Sequence, residues 1–230
     1  MILKLDLHTH TARYSPCSQL SPNALCETAL ARGLDAVAIT EHHHQWSDAE
    51  IAELQDRHPA LKLYTGVEIS CTDGHDYVVF GLDAGAYQPH PMPYARLQAM
   101  LDAHPGSFCF VAHCFRFSTD ESGLEERAIQ GIEMGSWNML ARRQAKSGPV
   151  IIAHQALYLH WQQRMGWIPL YNSDAHSARM VGVFCNLVDV PEEGLPEDER
   201  GLCQLLRPGV AGVEIHPFED RTRIPGARRR

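Results

Sequence analysis

Metal-type side chains close a set of short apolar runs along this chain, and that coincidence restricts the fold more than any other feature. The runs in question are Leu5-Asp6-Leu7-His8-Thr9-His10, Ala38-Ile39-Thr40-Glu41-His42, Thr65-Gly66-Val67-Glu68, Phe110-Val111-Ala112-His113 and Asn172-Ser173-Asp174-Ala175-His176. Runs of this length, rich in Val, Ile and Phe, read as buried strands. In parallel α/β folds the C-terminal strand ends gather on one face, where active sites are built. Ligands far apart in sequence then meet in one mouth. A single His-x-His, Glu or Asp-x-His at a strand end is weak evidence. Their repetition at successive strand ends makes chance a poor explanation.

The complete set of apolar runs is Ile2–Leu7, Ala36–Thr40, Leu61–Ile69, Tyr77–Phe80, Ser107–Ala112, Gln130–Met134, Ile168–Tyr171, Val181–Val188 and Ala211–Ile215. Helical patterns fall between them. Ser21-Pro22 reads as an N-cap with Pro at the first helical position, and Gly33 closes that helix. Similar patterns fit Asp48–Arg57, Pro93–Ala103, Asn138–Lys146 and Glu197–Leu206. The alternation predicts an α/β fold with a mostly parallel sheet, open or closed into a barrel. No repeat or linker divides residues 1–230, which predicts one domain ending in a solvated Arg228-Arg229-Arg230 tail.

Composition narrows the function. The net charge of −8 and the pI near 5.9 argue against a broad nucleic-acid-binding face. The first residues lack a signal-peptide core, and no run approaches the roughly 20 apolar residues needed to span a bilayer. The 7 Cys are scattered and never spaced as Cys-x-x-Cys, which fits reduced thiols in a cytoplasm. The 14 His are too many for a structural role to be assumed for all.

On an extended strand end His8 and His10 point the same way and can share one ion, and Asp174 with His176 repeats the spacing. Nitrogen and carboxylate ligands without thiolate suit zinc, manganese or iron. A carboxylate such as Glu68 can bridge two ions about 4 Å apart.

The motifs Asp6-Leu7-His8-Thr9-His10-Thr11, Gly33-Leu34-Asp35-Ala36-Val37-Ala38-Ile39-Thr40-Glu41-His42, Gly66-Val67-Glu68, Ala112-His113-Cys114-Phe115-Arg116 and Ser173-Asp174-Ala175-His176-Ser177 together resemble the PHP (polymerase and histidinol phosphatase) family. The resemblance runs from Asp6 to about Gly182. It implies a distorted (β/α)7 barrel, TIM-barrel-like, with two or three divalent ions (Zn, Mn or Fe) and hydrolysis of phosphoesters. Carried over, the first ion takes His8, His10, Glu68 and Asp174. The second takes Glu68 as a bridge, His113 and a residue at the start of the Tyr77–Phe80 strand. The third takes His42 and His176.

The chain departs from that pattern in places. Where the family carries a His before the fourth strand, the register here falls on Asp76, with His75 one residue earlier. His75 is preferred, because a one-residue bulge can re-aim a side chain. After the first His pair, where the family often supplies an Asp or His, this chain has Arg13-Tyr14-Ser15-Pro16-Cys17-Ser18. A packed, inert thiol is the preferred reading of Cys17, and a soft-metal ligand the alternative. Glu41 stands where Asp is more frequent and orients a ligand in this reading. Glu133 is either an orienting group or plain structure.

Arg116 is the candidate for holding a phosphate, its planar fork matching paired oxygens, against the alternative of a loop salt bridge. His43 and His44 read as exposed loop residues, and His154 and His160 as packing beside Trp161. The expected reaction is attack of metal-activated water on a small phosphate mono- or diester, with Glu68 and Arg116 as the catalytic groups. Rival readings are hydrolysis of a non-phosphate bond on the same scaffold and a non-catalytic metal-binding module. Substrate choice is assigned to the loops Ala84–Met92 and Phe117–Glu126.

Overall fold

The computed structural model describes residues 1–116, 119–121, 123–139 and 150–216, with the side chains of 150–154 left aside. The described elements run β1 (Ile2–Thr9), α1 (Pro22–Ala31), β2 (Ala36–His42), β3 (His44–Gln45), α2 (Asp48–Arg57), β4 (Lys62–Ser70), β5 (Asp76–Phe80), β6 (Gly85–Ala86), α3 (Tyr94–Ala103), β7 (Phe108–Ala112), a 3-10 turn (Leu124–Glu126), β8 (Gly131–Gly135), α4 (Val150–Met165), β9 (Ile168–Tyr171), β10 (Phe184–Asp189), α5 (Glu199–Leu206) and β11 (Gly212–Ile215). The helix expected over Asn138–Lys146 and the Arg228–Arg230 tail lie largely or wholly outside the described residues.

Local chemistry accounts for the helix ends. The Ser21 hydroxyl accepts from Ala24 N–H at 3.2 Å, Pro22 follows it, and Gly33 exits α1 at φ +69°. Ser47 and Glu50 form a reciprocal capping box at the start of α2.

The strands join in a 9-stranded sheet ordered β11-β10-β1-β2-β4-β5-β7-β8-β9 that curls into a nearly closed barrel. The barrel and the shared direction of most strands were legible in the sequence, but the reversal of β5 and β10 was not. β1-β2-β4 and β7-β8-β9 are parallel, whereas β5 is antiparallel to both β4 and β7, and β10 to both β1 and β11. For β5 the cause is the short Cys71–His75 turn, which returns the chain directly beside β4 and leaves no room for a crossover helix.

Alternate residues divide the sheet between two apolar layers. Ala36, Ala38, Tyr64, Val78, Phe80, Phe108, Phe110 and Leu170 fill the interior with Leu5 and Leu7. Val37, Ile39 and Leu63 face α1 and α2, while Val79, Cys109, Val111 and Ile132 face Leu97, Leu101, Tyr158 and Trp161. Gly66 is needed inside, since a Cβ there would stand 2.6 Å from the Phe80 ring.

The barrel is closed by side chains where backbone pairing fails. Asn186 on β10 accepts from Tyr171 N–H at 2.9 Å and donates to Tyr171 O at 2.9 Å, in the manner of a neighbouring strand. Its amide also donates to Asn172 Oδ1 at 2.9 Å, which in turn accepts from Leu7 N–H at 3.3 Å. Higher up, β1 meets the chain directly at the Thr9–Ala175 bridge. Asn186→Leu keeps the volume but orphans several buried groups, each worth about 1–3 kcal/mol. Urea denaturation is expected to show a loss of roughly 3 kcal/mol with an unchanged m value.

Candidate metal centre

The polar residues at the mouth arrive there by strand register. Between Asp6 and Thr9, three steps on β1 match two on β2, which is a bulge. The parity of β1 therefore inverts: Leu5 and Leu7 pack in the interior, and His8 and His10 also turn toward it. β5 has no such slip, its pairing with β4 and β7 being regular from Asp76 onward. Asp76 thus shares the inward face of Val78 and Phe80, with its carboxylate 3.8 Å from His113 Nδ1. His75 stands outside that face, edge-on to Tyr77 at 6.5 Å, and belongs to none of the ligand groupings among the described residues. The bulge invoked from sequence to favour His75 lies on β1 instead, and the geometry favours Asp76.

Four overlapping groups place ligand atoms within 4.8 Å of one another: His8, His10 and Asp174; Glu68, Asp76 and His113; His10, His42 and His176; and His8, His113 and Glu133. Glu68 connects them. Its Oε1 lies 3.4 Å from His8 Nε2 and 3.2 Å from His113 Nε2, while its Oε2 lies 3.3 Å from His10 Nε2 and 2.7 Å from His42 Nδ1. Each oxygen faces a different pair of imidazoles. Asp174 Oδ1 is 3.6 Å from His8 Nε2 and 3.4 Å from His10 Nε2, and its Oδ2 is 3.7 Å from both His113 Nε2 and Arg116 Nη1. All of the sequence-predicted ligands except His75 therefore converge.

The hydrogen-bond partners set the histidine tautomers. His8 Nδ1 faces Glu133 Oε1 at 3.1 Å, so it carries a proton and turns Nε2 toward the centre. His10 Nδ1 lies 3.3 Å from Ser15 Oγ, whose own hydrogen goes to Glu41 Oε2 at 2.5 Å. His10 Nε2 is therefore a lone pair, and it stands 3.0 Å from His8 Nε2. So short an approach needs one cation there, either a proton on His8 Nε2 shared with His10 or a metal ion lying against both nitrogens. Neither oxygen of Glu68, itself 1% exposed, receives a hydrogen bond of good geometry. Imidazole and carboxylate donors with unspent lone pairs fit divalent metal ions.

Electrostatics place that proton on His8 when no metal is bound. Burial drives His10 down to about 3. Burial also acts against the charged form of His8, yet Glu133, Glu68 and Asp174 hold it well above the usual imidazole range. Burial opposes ionisation of Glu68 and Asp174 too, and the surrounding imidazoles more than offset it, keeping both below the ordinary carboxylate range.

Further groups aim the ligands. Glu133 also accepts from Asn172 Nδ2 at 2.9 Å and from His113 N–H at 3.2 Å. Buried Glu41 accepts from Thr11, Ser15 and the Trp46 indole, which supports its reading as an orienting residue. Asp6 takes Ser173 N–H and Gly182 N–H at 3.0 Å each, tying β1 to the loop that carries Asp174. Asn138 Nδ2 donates to Asp174 Oδ2 at 2.6 Å. Sequence reasoning passed over the roles of Asp6, Ser15 and Asn138, for which only their neighbourhood to motif residues gave a signal. His113 (φ +27°), Asp174 (φ +49°) and His43 (φ +52°) occupy the left-handed region, a cost of about 1–3 kcal/mol each that clusters at this mouth.

The remaining expectations divide. Arg116 lies at the mouth beside Asp174. Cys17 is exposed rather than packed, because the loop after β1 turns outward there. His43 is buried rather than exposed: its Nε2 accepts from Ser70 N–H at 3.0 Å and its ring stacks on His90 at 3.8 Å. His44 stacks on Tyr14 at 3.7 Å, and the exposed His160 sits edge-on to Trp161. The side chain of His154 lies outside the described residues.

A family model described as PHP domain matches residues 6–160. The chain belongs to the PHP domain family. No curated protein sequence matches it. Among solved structures it resembles PsfC from Pseudomonas syringae PB-5123, with a TM-score of 0.62 and 16% identity over 96% of this chain and 93% of that one. It also resembles a two-domain protein from Bacteroides vulgatus ATCC 8482 containing a predicted PHP-like metal-dependent phosphoesterase (TM-score 0.65, 16% identity, 94% of this chain and 65% of that one). A third is an amidohydrolase from Chromobacterium violaceum with bound sulfate and no metal (TM-score 0.52, 18% identity, 82% and 92%). Identities this low carry the fold alone. No helix among the described residues of this PHP domain is long and apolar enough to cross a membrane.

Two substitutions test the PHP centre. Glu133→Ala removes the acceptor that sets His8, and metal affinity is expected to fall about 10–100-fold in a competitive chelator titration. Asp76→Ala is expected to lower the number of bound ions by elemental analysis, whereas His75→Ala leaves it unchanged.

Proposed function

We propose that this PHP domain is a metal-dependent phosphoesterase acting on a small phosphorylated substrate. The observation that carries the reading is the convergence of the His8 and His10 Nε2 atoms, 3.0 Å apart, on the buried carboxylates of Glu68 and Asp174. In this reading His8, His10, Glu68 and Asp174 hold a first ion; Glu68, His113 and Asp76 hold a second; and His42 and His176 hold a third. When bound, such ions lower the pKa of water toward neutrality and offset negative charge on phosphoryl oxygens. Zinc, manganese and iron all suit the donor set.

The chain's own residues supply position. Glu68 bridges, since its two oxygens face different imidazole pairs. Arg116 lies about one quarter exposed beside Asp174, where its fork can take paired phosphate oxygens from the solvent side. Buried Asp6, Glu41 and Glu133 hold the ligand-bearing loops still, which spares reorganisation during turnover. The net charge of −8 disfavours a polyanionic nucleic acid as substrate.

The test is a panel of chromogenic phosphate monoesters, phosphodiesters and amides, assayed after loading with zinc, manganese or iron. Turnover of an ester class that vanishes on chelation supports the proposal. Turnover of amides alone would overturn it in favour of C–N hydrolysis on the same scaffold.

Two variants refine the roles. Glu68→Ala is expected to abolish turnover and to lower the content of both inner ions, because one side chain serves both. Arg116→Lys keeps the charge but loses the paired fork, so kcat/KM on the accepted ester is expected to fall roughly 10–100-fold, an estimate of about 1.5–3 kcal/mol for a charge-assisted contact. Metal content is expected to stay intact.

A further inference from the structure

β7 ends at Ala112, and the segment that follows it, which carries both His113 and Arg116, is held by side chains from two other elements. The first anchor is on β8, where the Glu133 carboxylate accepts the His113 N–H at 3.2 Å. Two residues further on, the Tyr158 hydroxyl on α4 accepts the Phe115 N–H at 3.0 Å. Arg116 N–H then donates back to His113 O at 2.8 Å, closing a tight turn that ends on Arg116. Glu133 thus serves a metal ligand, and the assignments above leave Tyr158 unused.

The Phe115 bond lies in the interior. Phe115 and Tyr158 are both buried, with their rings edge-on and centroids 5.0 Å apart. A backbone N–H is costly to leave without an acceptor in such surroundings, so the hydroxyl fixes the chain one residue before Arg116. Trp161 shares that face of α4, three residues along. Its indole N–H donates to Glu121 Oε2 at 2.6 Å, and its ring stacks on Trp167 at 6.3 Å. α4 therefore grips the described part of the Arg116-bearing loop at two points.

We propose that α4 positions Arg116, with Tyr158 as the principal positioning residue and Trp161 as the second, and so sets how the site receives the anionic oxygens of its substrate. This rests on reading Arg116 as the phosphate-holding group. Arg116 Nη1 lies 3.7 Å from the Asp174 carboxylate at the end of a long side chain, so its planar fork is aimed by the backbone it leaves from. A small shift of Phe115 is carried to the guanidinium, and misplacing a group that orients substrate costs affinity and rate without removing any ion. The two anchors then act separately: Glu133 governs metal affinity, and Tyr158 governs anion affinity.

The experiment uses the full chain loaded with zinc or manganese and inorganic phosphate as probe, with binding read by calorimetry and metal content by elemental analysis. Tyr158→Phe keeps the ring and removes the hydroxyl. It is expected to weaken phosphate binding roughly 3–10-fold, the scale of one hydrogen bond, with metal content unchanged. Arg116→Ala is expected to weaken it further. The double variant is expected to be no weaker than Arg116→Ala alone, since Tyr158 then has nothing left to position. Glu121→Ala releases the Trp161 anchor from the loop side, without a change in the interior, and is expected to show the same dependence on Arg116.

Unchanged phosphate affinity in Tyr158→Phe, loss of bound metal in it, or additive losses in the double variant would overturn the proposal. If Tyr158→Phe does not fold, Glu121→Ala decides: a loss that disappears in the Arg116→Ala background supports the role of α4, and an additive loss or none overturns it. The phosphoesterase reading fails separately. Coupled phosphate binding with no ester turnover sinks that reading alone, and ester turnover with phosphate affinity indifferent to Tyr158 sinks only the positioning role. A metal-loaded wild-type chain that binds no phosphate sinks both.

Discussion

Glu68 and Asp174 place two carboxylates inside a barrel mouth with almost no exposure to water. An isolated ionised carboxylate in such surroundings costs on the order of tens of kcal/mol before compensation, so this arrangement persists only with positive charge among its members. Without metal, protons shared by the imidazoles supply that charge, which is why His8 and His10, neighbours on one strand, are pushed in opposite directions. A divalent ion does the same while accepting both Nε2 lone pairs at once. The site is therefore an electrostatic demand that the rest of the fold keeps in place.

Several structural costs serve that demand. The bulge in β1 gives up regular pairing so that His8 and His10 reach the mouth, and left-handed backbone at His113 and Asp174 aims two further ligands inward. Buried Glu133, Glu41 and Asp6 bring more negative charge, each held by several donors that make it tolerable. The carboxylates behind the imidazoles keep lone pairs pointed at the centre, the arrangement expected around metal-ligating histidines.

Much of this was legible in the sequence because ligand identity and strand ends coincide there. Each of the apolar runs contains or overlaps a strand of the sheet, and α2 spans Asp48–Arg57 as its capping pattern requires. What escaped was set by pairing rather than composition. Residue order alone does not reveal that β1 carries the bulge and β5 does not, so His75 and Asp76 exchanged places. The antiparallel course of β5 follows from a turn too short for a crossover, which apolar periodicity does not register. The two-residue β3–β6 ladder, His44–Gln45 against Gly85–Ala86, has no period to detect. Cys17 looked like an ordinary packed thiol because its exposure depends on where the loop is tied.

The seam between β1 and β10 has a consequence for the order in which the molecule is made. Ile2 pairs with Asp189, and Asp6 holds Gly182, so the first strand, which meets β2 early, finds its other neighbour only when most of the chain is available. Contacts of such long sequence separation carry a large loop-closure entropy and form late. His8 and His10 are therefore made first and given their environment last, since Asp174 and the Asn186 seam arrive from the opposite end of the sequence. During synthesis the first position, which needs Asp174, has no complete ligand set before that segment is made. Metal capture is instead coupled to completion of the barrel, and an ion that binds the finished site adds its binding energy directly to the stability of the closed fold.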